Sequence, residues 1–103
     1  MKDERWTDDF QISSATLCRQ ADAAREAGFT QLAENLRRAA ELTAVPKEEL
    51  LRIYEALRPG RSTQAELLAI ADKLERDYGA RQTAAFIREA AAEYARRRLF
   101  RPE

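Results

Sequence analysis

The breakers in this chain lie far apart, and that spacing constrains its fold more than any other feature. Gly28, Pro46, the Pro59-Gly60 pair and Gly79 punctuate the sequence. Each stretch between them is long enough for a helix, and its apolar residues recur three and four positions apart rather than alternating. The pattern predicts an all-α protein, a small bundle of about five helices with short loops and no strand.

Local signals set the expected boundaries. The apolar pattern begins at Ile12, with Ser13 as N-cap of a first helix that turns Leu17, Cys18, Ala21 and Ala24 inward. Gly28 ends it, because glycine enters the left-handed cap conformation without steric cost. Thr30 is the expected cap of a second helix, with Leu32, Ala33, Leu36, Ala39, Ala40 and Thr43 on its apolar face. Val45-Pro46 breaks that helix, since proline pushes the preceding residue out of the helical region. Pro46 suits the first turn of a third helix, where its missing N–H is not needed. Glu48 and Glu49 complement the positive end of that helix. Its expected inward stripe is Leu50, Tyr54 and Leu57, flanked by Leu51 and Ile53.

Arg58-Pro59-Gly60-Arg61 is the clearest loop, and Thr63 and Glu66 have the spacing of a capping box. The fourth helix carries Leu67, Ile70, Ala71 and Leu74 and stops near Tyr78-Gly79. A fifth runs from about Ala80 to Arg98, with Ala84, Ile87, Ala91 and Tyr94 inward and Phe86 and Ala90 beside them. Alanine dominates the inward faces of the first, second and fifth helices, which lets helix axes approach toward the lower end of the ~8–10 Å range.

The 103 residues suffice for one small domain. Residues 1–11 read as a polar lead and residues 12–100 as the helical domain. Lysine plus arginine balance aspartate plus glutamate at 18 each, so the basic excess of a nucleic-acid binder is missing. The charge is unevenly placed: Lys2 to Asp9 leans acidic, and Arg96, Arg97, Arg98 and Arg101 make the end basic. Cys18 is the single cysteine, which precludes an intrachain disulfide and points to a reducing cytoplasm. The first residues contain no apolar signal core, and no apolar run approaches the roughly 20 residues that span a bilayer, so no membrane role is expected.

Chemistry is sparse. There is no histidine, which removes the commonest general base and metal ligand. One cysteine cannot build a structural zinc site, and neither a phosphate-cradling glycine loop nor a nucleophile elbow is present. The expectation is a chain without catalytic, cofactor-binding or metal-ligating residues. Glu48-Glu49 and Glu75 with Asp77 read as solvated charges supported by nearby arginines. Cys18 reads as a small buried hydrophobe. Tyr54, Tyr78 and Tyr94 read as core residues whose hydroxyls stay wet.

What remains are side chains that suit a protein partner. Trp6 and Phe10, four apart, either anchor in a partner's pocket or fold back over the chain's own core. Arg58 and Arg61 flank a rigid turn from which a guanidinium reaches a partner carboxylate, or else they are solvated. Arg96, Arg97 and Arg98 either complement the negative end of the last helix or contact a partner. A docking subunit would leave an apolar patch near Trp6, Phe10 and the Arg58–Arg61 loop larger than the ~300–600 Å² of a typical monomer.

Several strings are specific beyond helical composition: Leu36 to Val45, Ile53 to Thr63, Glu66 to Leu74, and Ala84 to Ala91. Together they resemble the small (gamma) subunit of adenosylcobalamin-dependent diol and glycerol dehydratases, over a stretch from near Ile12 to near Phe100. The resemblance implies an all-α, non-catalytic subunit of a lyase. Such a subunit packs on and stabilises the large catalytic subunit, which converts 1,2-diols or glycerol to aldehydes by a radical mechanism. The implied partners are the large and medium subunits, with adenosylcobalamin held between those two and none bound by this chain.

The implied location is the cytoplasm, with a bacterial microcompartment as the alternative. Family members usually carry a longer N-terminal segment, tied in some to such packaging, whereas only residues 1–11 precede the match here. Residue 60 is often aromatic in the family and is Gly60 here, which removes one expected contact with a large subunit. The competing reading is a free-standing helical interaction module derived from that family and able to form a homodimer.

Overall fold

A computed structural model describes residues 13–102; Trp6, Phe10 and Ile12 lie outside the described residues. The described residues form five α-helices and no strand: α1 Ser14–Glu26, α2 Thr30–Leu42, α3 Lys47–Ala56, α4 Gln64–Tyr78 and α5 Arg81–Arg97. This is the all-α architecture the periodicity predicts. The chain divides into two compact units, one ending at Ala40 and one beginning at Glu41. Among the described residues no helix is long and apolar enough to cross a membrane.

In the N-terminal unit, Ser13 caps α1 as expected, its Oγ accepting from the Thr16 N–H at 3.1 Å. Leu17, Ala21 and Ala24 are buried, while Cys18 is only half-buried. Gly28 adopts φ +88°. The chain reverses there in a Schellman arrangement, with Phe29 N–H donating to the Ala24 carbonyl at 2.8 Å and Gly28 N–H to Arg25 at 3.0 Å.

Helix α2 departs from expectation in two ways. Its first intrahelical bond runs from Ala33 N–H to the Phe29 carbonyl, so Thr30 is the first helical residue and not the cap. The expected apolar face also splits. Ala33 and Ala40 are buried and Leu36 is half-buried, whereas Leu32 is 49% exposed and Ala39 and Thr43 are exposed. At about 100° per residue the first three share one line and the last three lie a quarter-turn away. Arg37 pairs with Asp22 between α1 and α2.

The C-terminal unit holds a continuous core of Val45, Ile53, Leu67, Ala71, Leu74, Ala80, Ala84, Ile87 and Ala91. Helices α4 and α5 pack on each other. Leu67, Ala71 and Leu74 make one line and Ala84, Ile87 and Ala91 the other, both at the three-and-four spacing predicted. Full burial of each leucine stabilises the unit by roughly 1.5–3 kcal/mol.

The capping box of α4 is present: Glu66 N–H donates to Thr63 Oγ1 at 3.1 Å, and Thr63 N–H to Glu66 Oε1 at 2.9 Å. Helix α4 ends at Gly79, whose φ is +64°. Pro46 sits at the N-cap of α3, one residue ahead of the first turn. The inward stripe of α3 is Leu50, Ile53 and Leu57, with Ile53 the most buried. Tyr54 does not belong to it and is 53% exposed. It follows Ile53 by one position and is therefore rotated about 100° off the core line. Phe86 is likewise exposed, beside the buried Ile87.

Candidate functional site at the basic end of the C-terminal unit

The turn after α3 and the segment after α5 form one structure. Gly60 N–H donates to the Leu99 carbonyl at 2.7 Å, and Arg101 N–H to the Ser62 carbonyl at 2.8 Å. The Arg101 guanidinium donates to the Arg61 carbonyl and to both Glu66 carboxylate oxygens, each at 3.1 Å. Ser62 is buried and its hydroxyl donates to the Ala56 carbonyl at 2.8 Å. The Tyr94 hydroxyl donates to the Leu57 carbonyl, and the Tyr94 and Phe100 rings pack tilted with centroids 5.7 Å apart. Gly60 holds φ +79° in this turn, a conformation an aromatic side chain adopts only with strain.

This knot gathers the arginines singled out in the sequence. Arg58 and Arg61 both pair with Glu55, at 3.1 and 3.3 Å. Arg96 and Arg97 both pair with Glu93. Arg98 follows at the C-cap of α5, exposed and in the left-handed region at φ 58°. Counting Arg101, six arginines thus gather at this end with three carboxylates, Glu55, Glu66 and Glu93. The Arg96 guanidinium, joined by Arg97, holds the Glu93 carboxyl below the usual carboxylate range. The Thr63 N–H, followed by Arg101, does the same for Glu66. The four paired arginine side chains are each more than half exposed. Such pairs contribute at most about 1 kcal/mol in water, so a partner's carboxylates compete for them readily. Trp6 and Phe10, the other two residues expected at an interface, lie outside the described residues.

The remaining polar clusters tie helices together. Glu49 accepts from the Tyr78 hydroxyl at 2.8 Å and pairs with Lys73 at 3.2 Å, bridging α3 and α4. The Tyr78 bond, aided by Lys73, lowers the Glu49 pKa, and the same bond raises that of Tyr78. Glu49 is therefore not the freely solvated charge expected from the sequence. Arg88 pairs with both Asp72 and Glu75 at 2.8 Å, and Asp77 pairs with Arg76 at 3.0 Å.

A recess of about 520 Å³ is lined by Glu41, Glu75, Arg81, Gln82 and Arg88 among others, and one of about 240 Å³ by Glu49, Arg52, Ile53, Ile70 and Lys73. Glu41, Glu49 and Glu75 in these recesses already accept from cations, a tyrosine or backbone N–H groups. Among the described residues no group of three or more His, Cys, Asp or Glu is placed to hold a metal ion. Sequence reasoning missed Glu41, Ser62 and the Glu49–Tyr78 bond. Each joins residues distant in sequence or depends on a turn that no local motif announces.

Comparison with known proteins agrees with the strings noted above. A family model described as dehydratase small subunit matches residues 1–101. The propanediol dehydratase small subunit of Citrobacter freundii is 57% identical over 90 residues, covering 87% of this chain and 52% of the relative. The protein of that description from Salmonella typhimurium matches with the same identity and the same coverage. This chain therefore spans about half the length of the curated relatives it matches. With the family model covering residues 1–101 and more than half of the aligned residues identical, the chain belongs to the dehydratase small-subunit family.

Proposed function

We propose that this chain is the non-catalytic small subunit of a propanediol or glycerol dehydratase, packing on and stabilising the large catalytic subunit. The observation that carries this is the 57% identity over 90 residues to two propanediol dehydratase small subunits. The chemistry of the chain supports it. Its acidic side chains at the recesses are engaged in ion pairs and helix capping, and one group of its exposed arginines gathers at an end of the C-terminal unit. In this reading Arg58, Arg61, Arg96, Arg97 and Arg98 meet carboxylates of the large subunit, with Trp6 and Phe10 as further contacts. Residues 12–100 act as the subunit's domain behind a lead of residues 1–11, in the cytoplasm or in a bacterial microcompartment.

Adenosylcobalamin supplies the radical chemistry of such a holoenzyme. This chain does not fit as its host: it has no histidine, and its recesses are lined mostly by charged side chains. The cofactor is read as a ligand of the large and medium subunits.

Reconstitution tests the proposal. Candidate large and medium subunits are mixed with adenosylcobalamin and propane-1,2-diol or glycerol, and aldehyde is measured with and without this chain. The chain should co-elute with the large subunit and raise or prolong activity. Absence of both effects would overturn the reading.

A further inference from the structure

Helix α3 is apolar on two sides. Leu50, Ile53 and Leu57 turn to the core. Leu51 and Tyr54, three apart and about a quarter-turn round the helix from that line, are 56% and 53% exposed. A helix of an isolated domain normally keeps that side polar. Lys47, four residues before Leu51, stands at the start of the helix on the same line, and Arg58 lies in the turn just past the C-cap Leu57. It is thus an apolar centre with a cation at each end. Two carboxylates flank it. Glu48 stands in the first turn, where the helix's own positive end offsets its charge. Glu55 is claimed by both Arg58 and Arg61, so the balance around the apolar pair is basic. Arg58 also belongs to the basic end described above, which makes the two surfaces continuous.

We propose that Leu51 and Tyr54 are the anchor by which this chain docks, and that they seat in an apolar groove rimmed by carboxylates on the large subunit. The assignment rests on the small-subunit reading and names its contact surface. An exposed tyrosine with an arginine at its edge is the kind of residue that carries binding energy, and the neighbouring leucine adds apolar area that excludes water beside it. A second copy of the chain is a poor occupant. A two-fold arrangement of antiparallel α3 helices sets Lys47 against Arg58, and a parallel one sets each cation against itself. Either way like charges meet at the rim. Carboxylates on a different protein relieve that repulsion and compete for Arg58 and Arg61, whose bonds to Glu55 are solvent-exposed.

The test titrates this chain into the large subunit. It compares wild type with Leu51→Ser, Tyr54→Ser, the double serine variant and the pair Leu51→Met/Tyr54→Phe. Circular dichroism confirms folding. Each serine should weaken binding at least about tenfold and the double variant about a hundredfold or more, with Met/Phe close to wild type. Hydroxyl-radical footprinting of the wild-type complex reads the same contact without mutation, and Tyr54 should be protected.

A double serine variant that binds within about twofold of wild type, or a Tyr54 that is labelled equally in the complex, overturns this docking face and leaves the small-subunit reading standing. A wild-type chain that does not bind the large subunit overturns both. A homodimer that the serine variants dissociate assigns the face to a second copy and overturns the proposal.

Discussion

Glu41 caps helix α5 at Thr83. Its Oε1 accepts from the Thr83 backbone N–H and from the Thr83 hydroxyl, both at 2.7 Å. Its Oε2 accepts from the Gln82 N–H at 2.9 Å. The helix needs this, because its N-cap residue is Ala80, which offers no side-chain oxygen to the unpaired first-turn donors. Removing the carboxylate leaves those groups to water or unmet. Glu41→Ala should lower stability by about 1–2 kcal/mol, and Glu41→Gln by less because the amide oxygen still accepts. Urea denaturation followed by circular dichroism measures both, and unchanged midpoints would mean that the cap carries no stability.

The lowered pKa of Glu66 predicts a pH dependence. The Thr63 N–H first, then Arg101, favour the ionised carboxyl in the folded chain. Because the folded pKa lies below the ordinary 4.5, the stabilisation is complete above that value and is lost as pH falls through the folded one. Glu49 and Glu93 are shifted in the same direction. Unfolding free energy measured from about pH 6 to about pH 3 should therefore fall below the ordinary glutamate range. Glu66→Gln should flatten that fall, since the amide caps the helix but carries no charge for Arg101. An identical slope in the variant would remove Glu66 from the acid response.

Gly60 tests whether backbone conformation or space dictates its identity. A Cβ at this position would meet no atom within 4 Å, yet φ is +79°. Gly60→Ala should destabilise by about 1 kcal/mol through the left-handed conformation alone. A melting temperature equal to wild type would mean that the turn relaxes freely.

The basic end is tested by charge reversal. Arg61→Glu places a carboxylate beside Glu55 and removes one of the arginines from that end. Because the pair is exposed, stability should change by no more than about 0.5 kcal/mol. Co-elution with the large subunit should weaken while helical content stays constant. Undiminished co-elution would take the turn out of the interface.

The helix boundaries were legible wherever a signal and its partner lie within one turn. Ser13 and Thr16, Thr63 and Glu66, and Gly79 after Tyr78 all behave as their spacing predicts. Thr30 differs from expectation because Phe29 supplies the capping carbonyl through its backbone, which leaves no mark on residue type. Tyr54 differs from expectation because α3 carries apolar residues on two lines, and periodicity alone does not say which one meets the core. The arginines of the proposed interface were legible by type. Their convergence was not, since it depends on Gly60 meeting Leu99 and Ser62 meeting Arg101.

The sequence by itself determined that this chain is helical, where its helices break, and to which family it belongs, because periodicity, capping and residue strings are local properties. Only the tertiary structure decided that Glu41 serves a helix forty-two positions on, that Leu51 and Tyr54 face solvent, and that the arginines after α3 and at the end of α5 lie together. Those outcomes depend on how α3, α4 and α5 rotate to bury Ile53, Leu67 and Ile87. The burial of apolar surface sets that rotation, and the polar and charged side chains then pair with whatever it brings within reach.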